Sequence, residues 1–580
     1  MPAPALVTTS AQLREAIATL RERPILACDL ETTGLDPHQD EVLMIQLGDD
    51  RYQMAVDTRT LRELEPLREV LERPGLTVFH NAQFDLKFLS TLGLRVSQPQ
   101  DTMLCEALIA GGRRLGPRTL KACADRRAGI SLDKTERATF QGHQGALTES
   151  QIAYAVDDVI ATWHLFVEQI ADLDRDELDR VARIEGAAVE AFADLELRGM
   201  HLEPAAWEGV LAEAEAARDA AKRGLEQALL PIVGGDLFGN VSVNYDSEPE
   251  MLGVFERLGF PGLSDLGKGT LQGLGHPVAD ELLRYRTHQH TLKQYGDDGF
   301  TAHLHPKTGR LHPRVRQIGA GTGRVSVDSP NLQNVRRGDM FRRAFQAPAG
   351  RKLITADYNA AELRIIAALS RDPAFIETFE AGGDLHSEVA TRLFKTPVTK
   401  ESRPELRERA KAINFGLAYG MGAAGLGKAL GVTVEEADEL LQGYFKTYPK
   451  IRQFLTGLSE RGLARGFARS AAGRRLYFEP TDEPARRAQQ ERVARNMPIQ
   501  GTGADILKLA MARVTRAYHR EGLDAFLVNS VHDELIVEAS EGDAPAAAAA
   551  LEREMNAAAA SFLKEVPSVV DVSIDDYWAK

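Results

Sequence analysis

Four residues in the stretch RERAKAINFGLAYG, namely Arg407, Lys411, Phe415 and Tyr419, recur at every fourth position. On an α-helix a four-residue step turns the direction by only about 40°, so two cations and two rings share one stripe. Gly420 and Gly422 follow and are expected to end that helix. Acidic strand ends flank it in sequence. Asp357 follows the apolar run KLITA, and Asp533 with Glu534 lies between AFLVNS and LIVEA in a hairpin pattern. Arginine as a fork and lysine as a point charge suit phosphates, and the rings suit a stacked base.

A length of 580 residues predicts about three to four domains. With 43% hydrophobic and 27% charged residues the composition is that of an ordinary globular protein. No apolar run approaches the roughly 18 residues of a membrane helix. The start MPAPALVTTSAQLREAI lacks a basic region followed by an apolar core. The expectation is a cytoplasmic protein with no membrane partner. Cys28, Cys105 and Cys123 show no metal-type spacing and read as reduced core residues. A net charge of −14 disfavours nucleic acid as a partner on average, yet phosphate contacts act within about 10 Å. Local basic tracks offset the average: Lys307, Arg310, Arg314, Arg316, Arg324, Arg336, Arg337, Arg342 and Arg343 face only Asp328 and Asp339 in their stretch. A second track runs Arg461, Arg465, Arg469, Arg474, Arg475, Arg486, Arg487, Arg492 and Arg495.

PILACDLETTG and EVLMIQLGD read as a β-hairpin, GLTVFH as a third strand, and NAQFDLKFLSTLG as a helix behind it. LTESQIAYAVDDVIATWHLFVEQI is an amphipathic helix whose start, Thr148 with Gln151, has the capping-box form. A domain boundary is expected near residue 175. A helix over about 205–229 then leads into a Gly-rich connection through Gly239, and the alanine-rich stretch 544–560 reads as a packing or solvated helix.

Asp29 and Glu31, two apart at a strand end, point to one face. Asp85 adds a carboxylate where strand meets helix, and Tyr154 and Asp158 share one helical face. Four carboxylates and a tyrosine suit two-metal phosphodiester hydrolysis with Mg²⁺ or Mn²⁺. DLE, NAQFD and YAVDD, in that order, resemble the motifs of a proofreading 3′→5′ exonuclease of the DEDDy type. The resemblance makes Asp29, Glu31, Asp85 and Asp158 metal ligands and gives Tyr154 the attacking water.

From about residue 180 onward the chain resembles the family A DNA polymerases. DYNAAELR, RERAKAINFGLAYG and VHDEL match its motifs A, B and C, and TGRVSVDSPNLQN and NMPIQGTGADILKLAM match too. The resemblance implies an α/β (α+β) fold, with a ribonuclease-H-like exonuclease domain at 1–175 and a right-hand polymerase domain at 176–580. Within the latter it implies a thumb about 190–310, a palm about 311–370 and 490–580, and fingers about 371–489. Asp357 and Asp533 would hold two metals. Arg407, Lys411 and His386 would bind the incoming triphosphate, and Lys411 would protonate the pyrophosphate. Phe415 and Tyr419 would line the sugar and base pocket. Glu362 would crowd a ribose 2′-hydroxyl, and Arg324, Gln500 and His532 would probe the minor groove. Glu534 would support Asp533.

Motif A usually reads DYSQIELR, and Asn359, Ala360 and Ala361 replace Ser, Gln and Ile here. Gly503 stands where alanine is usual. The missing glutamine removes a polar group near the incoming sugar and so touches speed and sugar selectivity, while Gly503 is expected to loosen its helix slightly. Implied partners are primer–template DNA, dNTPs and a single-stranded 3′ end, bound by a monomer, and the position of Asp29 leaves no room for a preceding 5′-nuclease domain. Two other readings are an exonuclease whose C-terminal half only binds nucleic acid, and a non-catalytic scaffold. Intact Asp357, Lys411 and Asp533 argue against the first, and eight correctly placed active-site groups argue against the second.

Overall fold

The apolar runs of the N-terminal segment form one six-stranded sheet in the computed structural model, which describes residues 5–235, 241–296, 299–335, 338, 340–418 and 421–579. The strands are β1 (Ala5–Val7), β2 (Ile25–Thr32), β3 (Val42–Gly48), β4 (Gln53–Asp57), β5 (Leu76–Phe79) and β6 (Pro99–Asp101). Their order is β1-β4-β3-β2-β5-β6. β2 and β3 make the expected antiparallel hairpin, and β5 joins β2 in parallel. Every residue of β3 is buried, as a strand covered on both faces requires. The helix Glu149–Arg175 packs against β2 and β3. Thr148 and Gln151 close its capping box, with the Gln151 amide 3.2 Å from Thr148 Oγ1 and the Thr148 amide 3.0 Å from Gln151 Oε1. The chain breaks between this helix and the next, Asp179–Arg198, at Glu177 with φ +54°.

A second sheet contains β7 (Arg351–Tyr358), β8 (Ala525–Val531), β9 (Glu534–Ser540) and β10 (Val570–Asp575), in the order β8-β9-β7-β10, all antiparallel. The helix Pro484–Glu521 runs unbroken through residue 490 and packs on the alanine-rich helix Ala544–Leu563. That helix buries Ala547, Ala550, Leu551, Met555 and Ala558, so its small side chains serve close packing. All three cysteines are buried and free.

The chain divides into two compact units. The first comprises the described residues of Met1–Gly199, His312–Asn334 and Ala349–Asp575; the second those of Met200–Leu311, Val335–Pro348 and Asp576–Lys580. In the second, the helices Pro204–Val233 and Pro277–Tyr295 pair. Trp207 is fully buried there, with ring centroids of Phe341 and Phe300 at 5.1 and 5.2 Å. Phe341 and Phe345 thus tie the segment 335–348 to this unit, although it falls inside the sequence range expected for the palm.

Two expectations change and one alternative is decided. Arg474 and Arg342, counted in the basic tracks, are 2% and 3% exposed and face the interior. Gly422 does not end the cation-bearing helix, which is described over Pro404–Ala418. Its extended φ −89°, ψ 178° makes it the N-cap of the next helix, Ala423–Leu430. The 544–560 stretch is a packing helix rather than a solvated one. Gly239, Arg336, Arg337, Asp339, Tyr419 and Gly420 lie outside the described residues, as does the side chain of Phe415.

Candidate active sites

On the first sheet, β2 carries Asp29 and Glu31 on one face near its end, and the Glu149–Arg175 helix brings Asp158 against them. Carboxylate oxygens of these three residues lie within 4.8 Å of one another. Burial and the Asp158 charge push Asp29 up to about 8, and burial with the Asp29 charge pushes Glu31 up to about 9. Asp85, on the helix Ala82–Thr91, is also raised, by burial first and by Asp29 second. The oxygens are hard donors and the cluster carries more negative charge than its burial tolerates, so a Mg²⁺-type cation fits it. Tyr154 stands one turn before Asp158, and burial raises its hydroxyl.

Sequence reasoning missed three groups around this cluster. Lys134 donates to both Asp158 oxygens, at 2.6 Å to Oδ1, and lies 3.2 Å from Tyr154 Oη. Arg137 opposes the upward shifts of Asp29 and Glu31. Asp101 is 2% exposed. Its carboxylate accepts from the amides of Ala82 at 2.9 Å and Met103 at 2.7 Å, which fixes the start of the helix bearing Asp85. Only Asp101 left a sequence signal, an N-cap before the run TMLCEALIA.

On the second sheet, Asp357 near the end of β7 lies in register with Glu534. The connection between β8 and β9 is His532-Asp533, with His532 at φ +57°, which points Asp533 back toward β7. The Tyr358 amide donates to the Asp533 carbonyl at 3.4 Å. Burial, then repulsion from Asp357, raises the Asp533 carboxyl to about 7. Two facing carboxylates, one raised by the other, fit divalent cations as the first cluster does.

A cavity of about 360 Å³ opens beside this pair, lined by Arg324, Glu362, Gln500, Gly503, His532 and Asp533 among others. Five of the expected site residues therefore meet at one place. Arg324 Nη2 donates to Glu362 Oε1 at 2.7 Å. Asn359 donates to Asp571 Oδ2 at 3.2 Å, and Ala360 holds φ +52° as the N-cap of the helix Ala361–Ser370.

His386, Arg407 and Lys411 do not line that cavity. They form their own group on the helices Leu385–Phe394 and Pro404–Ala418. Arg407 Nε donates to Asp384 Oδ2 at 2.7 Å. Against the desolvation of burial, that guanidinium holds Asp384 down to about 2. Lys411 is half-exposed, 3.6 Å from Glu408. Burial lowers His386 to about 4, so its ring is neutral near pH 7. Asn414 Nδ2 lies 3.0 Å from His386 Nδ1 and donates to it, which leaves the proton on Nε2.

Residues 253–580 match the family described as DNA polymerase family A, and residues 4–169 match the family described as 3′-5′ exonuclease. The chain is 31% identical to DNA polymerase I of Aquifex aeolicus over 99% of both chains. It is 32% identical to DNA polymerase I of Chloroflexus aurantiacus, over 100% of this chain and 63% of that protein. For the Pseudomonas aeruginosa DNA polymerase I the figures are 32%, 96% and 64%. The chain therefore spans nearly the whole Aquifex protein and less than two thirds of the other two. A solved structure, the POL domain of Pol1 from M. smegmatis in complex with DNA primer-template and dNTP, matches with TM-score 0.81 at 27% identity over 99% of each chain.

Proposed function

Because the chain belongs to DNA polymerase family A and carries a 3′→5′ exonuclease domain, we propose that it extends a primer 3′ end at the second-sheet site and trims a mispaired 3′ end at the first-sheet cluster. Its activities are DNA synthesis and exonucleolytic proofreading, in replication or repair. Two acidic sites on two different sheets of one chain support this division of labour most directly. The exonuclease domain takes residues 1–175 and the polymerase domain 176–580, with thumb, palm and fingers at the ranges given above.

When bound, Mg²⁺, or Mn²⁺ in its place, two ions per site, would supply activation of the attacking oxygen and support for the leaving one. Asp357 and Asp533 would hold the ions at the polymerase site, and Asp29, Glu31, Asp85 and Asp158 would hold them at the exonuclease site. Tyr154 orients the attacking water. Arg407 and Lys411 take the incoming triphosphate as fork and point charge, and neutral His386 donates one Nε2–H to it. Lys411 gives the departing pyrophosphate a proton. Phe415 and Tyr419 line the sugar and base pocket. Glu362, held by Arg324, crowds a 2′-hydroxyl and so favours deoxynucleotides. Arg324, Gln500 and His532 read the minor groove, where acceptor positions are nearly alike for all correct pairs. The partners are primer–template DNA, dNTPs and a single-stranded 3′ end, bound by a monomer.

A primer–template assay with a 3′-mismatched primer and Mg²⁺, with and without dNTPs, tests the assignment. Asp533→Ala is expected to abolish extension yet still trim. Asp29→Ala is expected to extend matched ends and fail to remove the mismatch. A wild-type chain that trims but never extends would sink the polymerase assignment.

A further inference from the structure

Lys134 lies in the irregular segment between the helix Leu120–Ala128 and the turn Glu136–Phe140. Its ammonium donates to both oxygens of Asp158, reaches Tyr154 Oη at 3.2 Å, and stands 4.8 Å from the centre of the Tyr154 ring. Asp158 is one of the three carboxylates whose oxygens converge within 4.8 Å. The lysine therefore uses the very oxygens that a divalent ion in this cluster needs. Its side chain is 26% exposed on an irregular segment, and its long flexible stem can carry the charge out to water without moving the backbone.

Resting on the metal-ligand reading of Asp29, Glu31 and Asp158, we propose that Lys134 is a positioning residue of the exonuclease site, a tethered cation that a divalent ion must displace from Asp158 to enter. Three carboxylates this close together repel one another unless a cation lies among them, and Lys134, bonded to both Asp158 oxygens, is placed to supply part of that charge. Metal entry is then an exchange of one cation for another. The exchange weakens apparent metal affinity and sets a metal concentration below which trimming stops.

Mn²⁺ titration of the full chain, read by the electron paramagnetic resonance of free Mn²⁺, tests this. Asp357→Asn and Asp533→Asn in the parent chain remove the second acidic pair from the count. Lys134→Met is expected to bind Mn²⁺ about tenfold more tightly than the parent, the equivalent of one charge-assisted hydrogen bond. Lys134→Arg keeps the charge and is expected to stay within about twofold of the parent. Equal or weaker binding by Lys134→Met at an unchanged melting temperature overturns the proposal, as does equal tightening by Lys134→Arg. If Lys134→Met melts early, Lys134→Gln carries the same expectation and the same refutation. Asp158→Asn separates the two layers: if it binds Mn²⁺ as well as the parent, the metal-site reading itself fails and takes the proposal with it.

Discussion

Glu185→Gln should destabilise this protein far more than Lys508→Met, although the two residues form one ion pair. Arg474, Glu185, Asp505 and Lys508 are each no more than 3% exposed at the side chain. Lys508 Nζ lies 2.6 Å from Glu185 Oε1, and Arg474 Nη2 bonds Glu185 and, at 2.6 Å, Asp505 Oδ1. Ser470 Oγ donates to Asp505 Oδ2 at 2.6 Å. Two cations and two anions balance. The partners nonetheless respond in opposite ways. Against desolvation, Lys508 and Arg474 together hold Glu185 below the usual carboxylate range. Lys508 shares that one anion with Arg474, and burial brings it from 10.5 down to about 8. Keeping Lys508 charged at neutral pH thus costs about 3 kcal/mol. Replacing it removes that penalty but leaves Arg474 alone facing Glu185 and Asp505, and the net loss should stay below about 2 kcal/mol. Glu185→Gln leaves two buried cations facing one carboxylate and should cost about 3–5 kcal/mol. The double variant is again neutral and should recover at least about 2 kcal/mol of that loss. Between about pH 8 and pH 10.5 the unfolded chain holds a lysine proton that the folded one has shed. Stability should therefore rise with pH across that window, and Lys508→Met should flatten the rise. Urea midpoints of the four chains as a function of pH read all of this. Equal losses for the two single variants, or a double variant that merely sums them, would refute the reasoning.

Other expectations concern the two acidic sites. Saturating Mg²⁺ should raise the melting temperature of the wild type more than that of Asp158→Asn, and an equal rise in calorimetry would remove the first cluster from the metal sites. Glu362→Ala should release Arg324 and raise ribonucleotide incorporation relative to deoxynucleotide by at least about tenfold, a gap of about 1.4 kcal/mol in transition-state discrimination, measured as a ratio of kcat/KM values. Phe415→Tyr should raise incorporation of chain-terminating dideoxynucleotides, and unchanged termination ratios would count against placing that ring at the sugar.

What the sequence disclosed was what local spacing determines. Asp29 and Glu31 share a face because a strand alternates, and Thr148 with Gln151 caps a helix because the partners are three residues apart. Asp357 and Asp533 were legible as apolar strands ending in acid. Lys134 was not, because its partner is 24 residues away on another element and nothing in LDKTER marks the meeting. Asp384 is an N-cap, and SEVA after it gave a local signal, but its grip on Arg407 spans 23 residues. Gly422 was misread because a glycine near a helix end fits either the end of one helix or the start of the next, and only its φ and ψ decide.

The basic tracks show why charge sign alone is a poor guide to a nucleic-acid surface. Arg474 resembles its neighbours in sequence, yet it is the internal counter-ion of Glu185 and Asp505. Several exposed members are also engaged: Arg469 with Glu177, Arg316 with Asp328, Arg343 with Glu213. Phosphate binding by such a residue is not simple neutralisation of a free cation, because a carboxylate must be given up first. That exchange returns part of the electrostatic gain, while the released carboxylate adds its own repulsion to the phosphate. For the arginines paired in this way, phosphate binding moves the cation between two anions rather than from water to phosphate, so their contribution to holding DNA is smaller than their charge suggests.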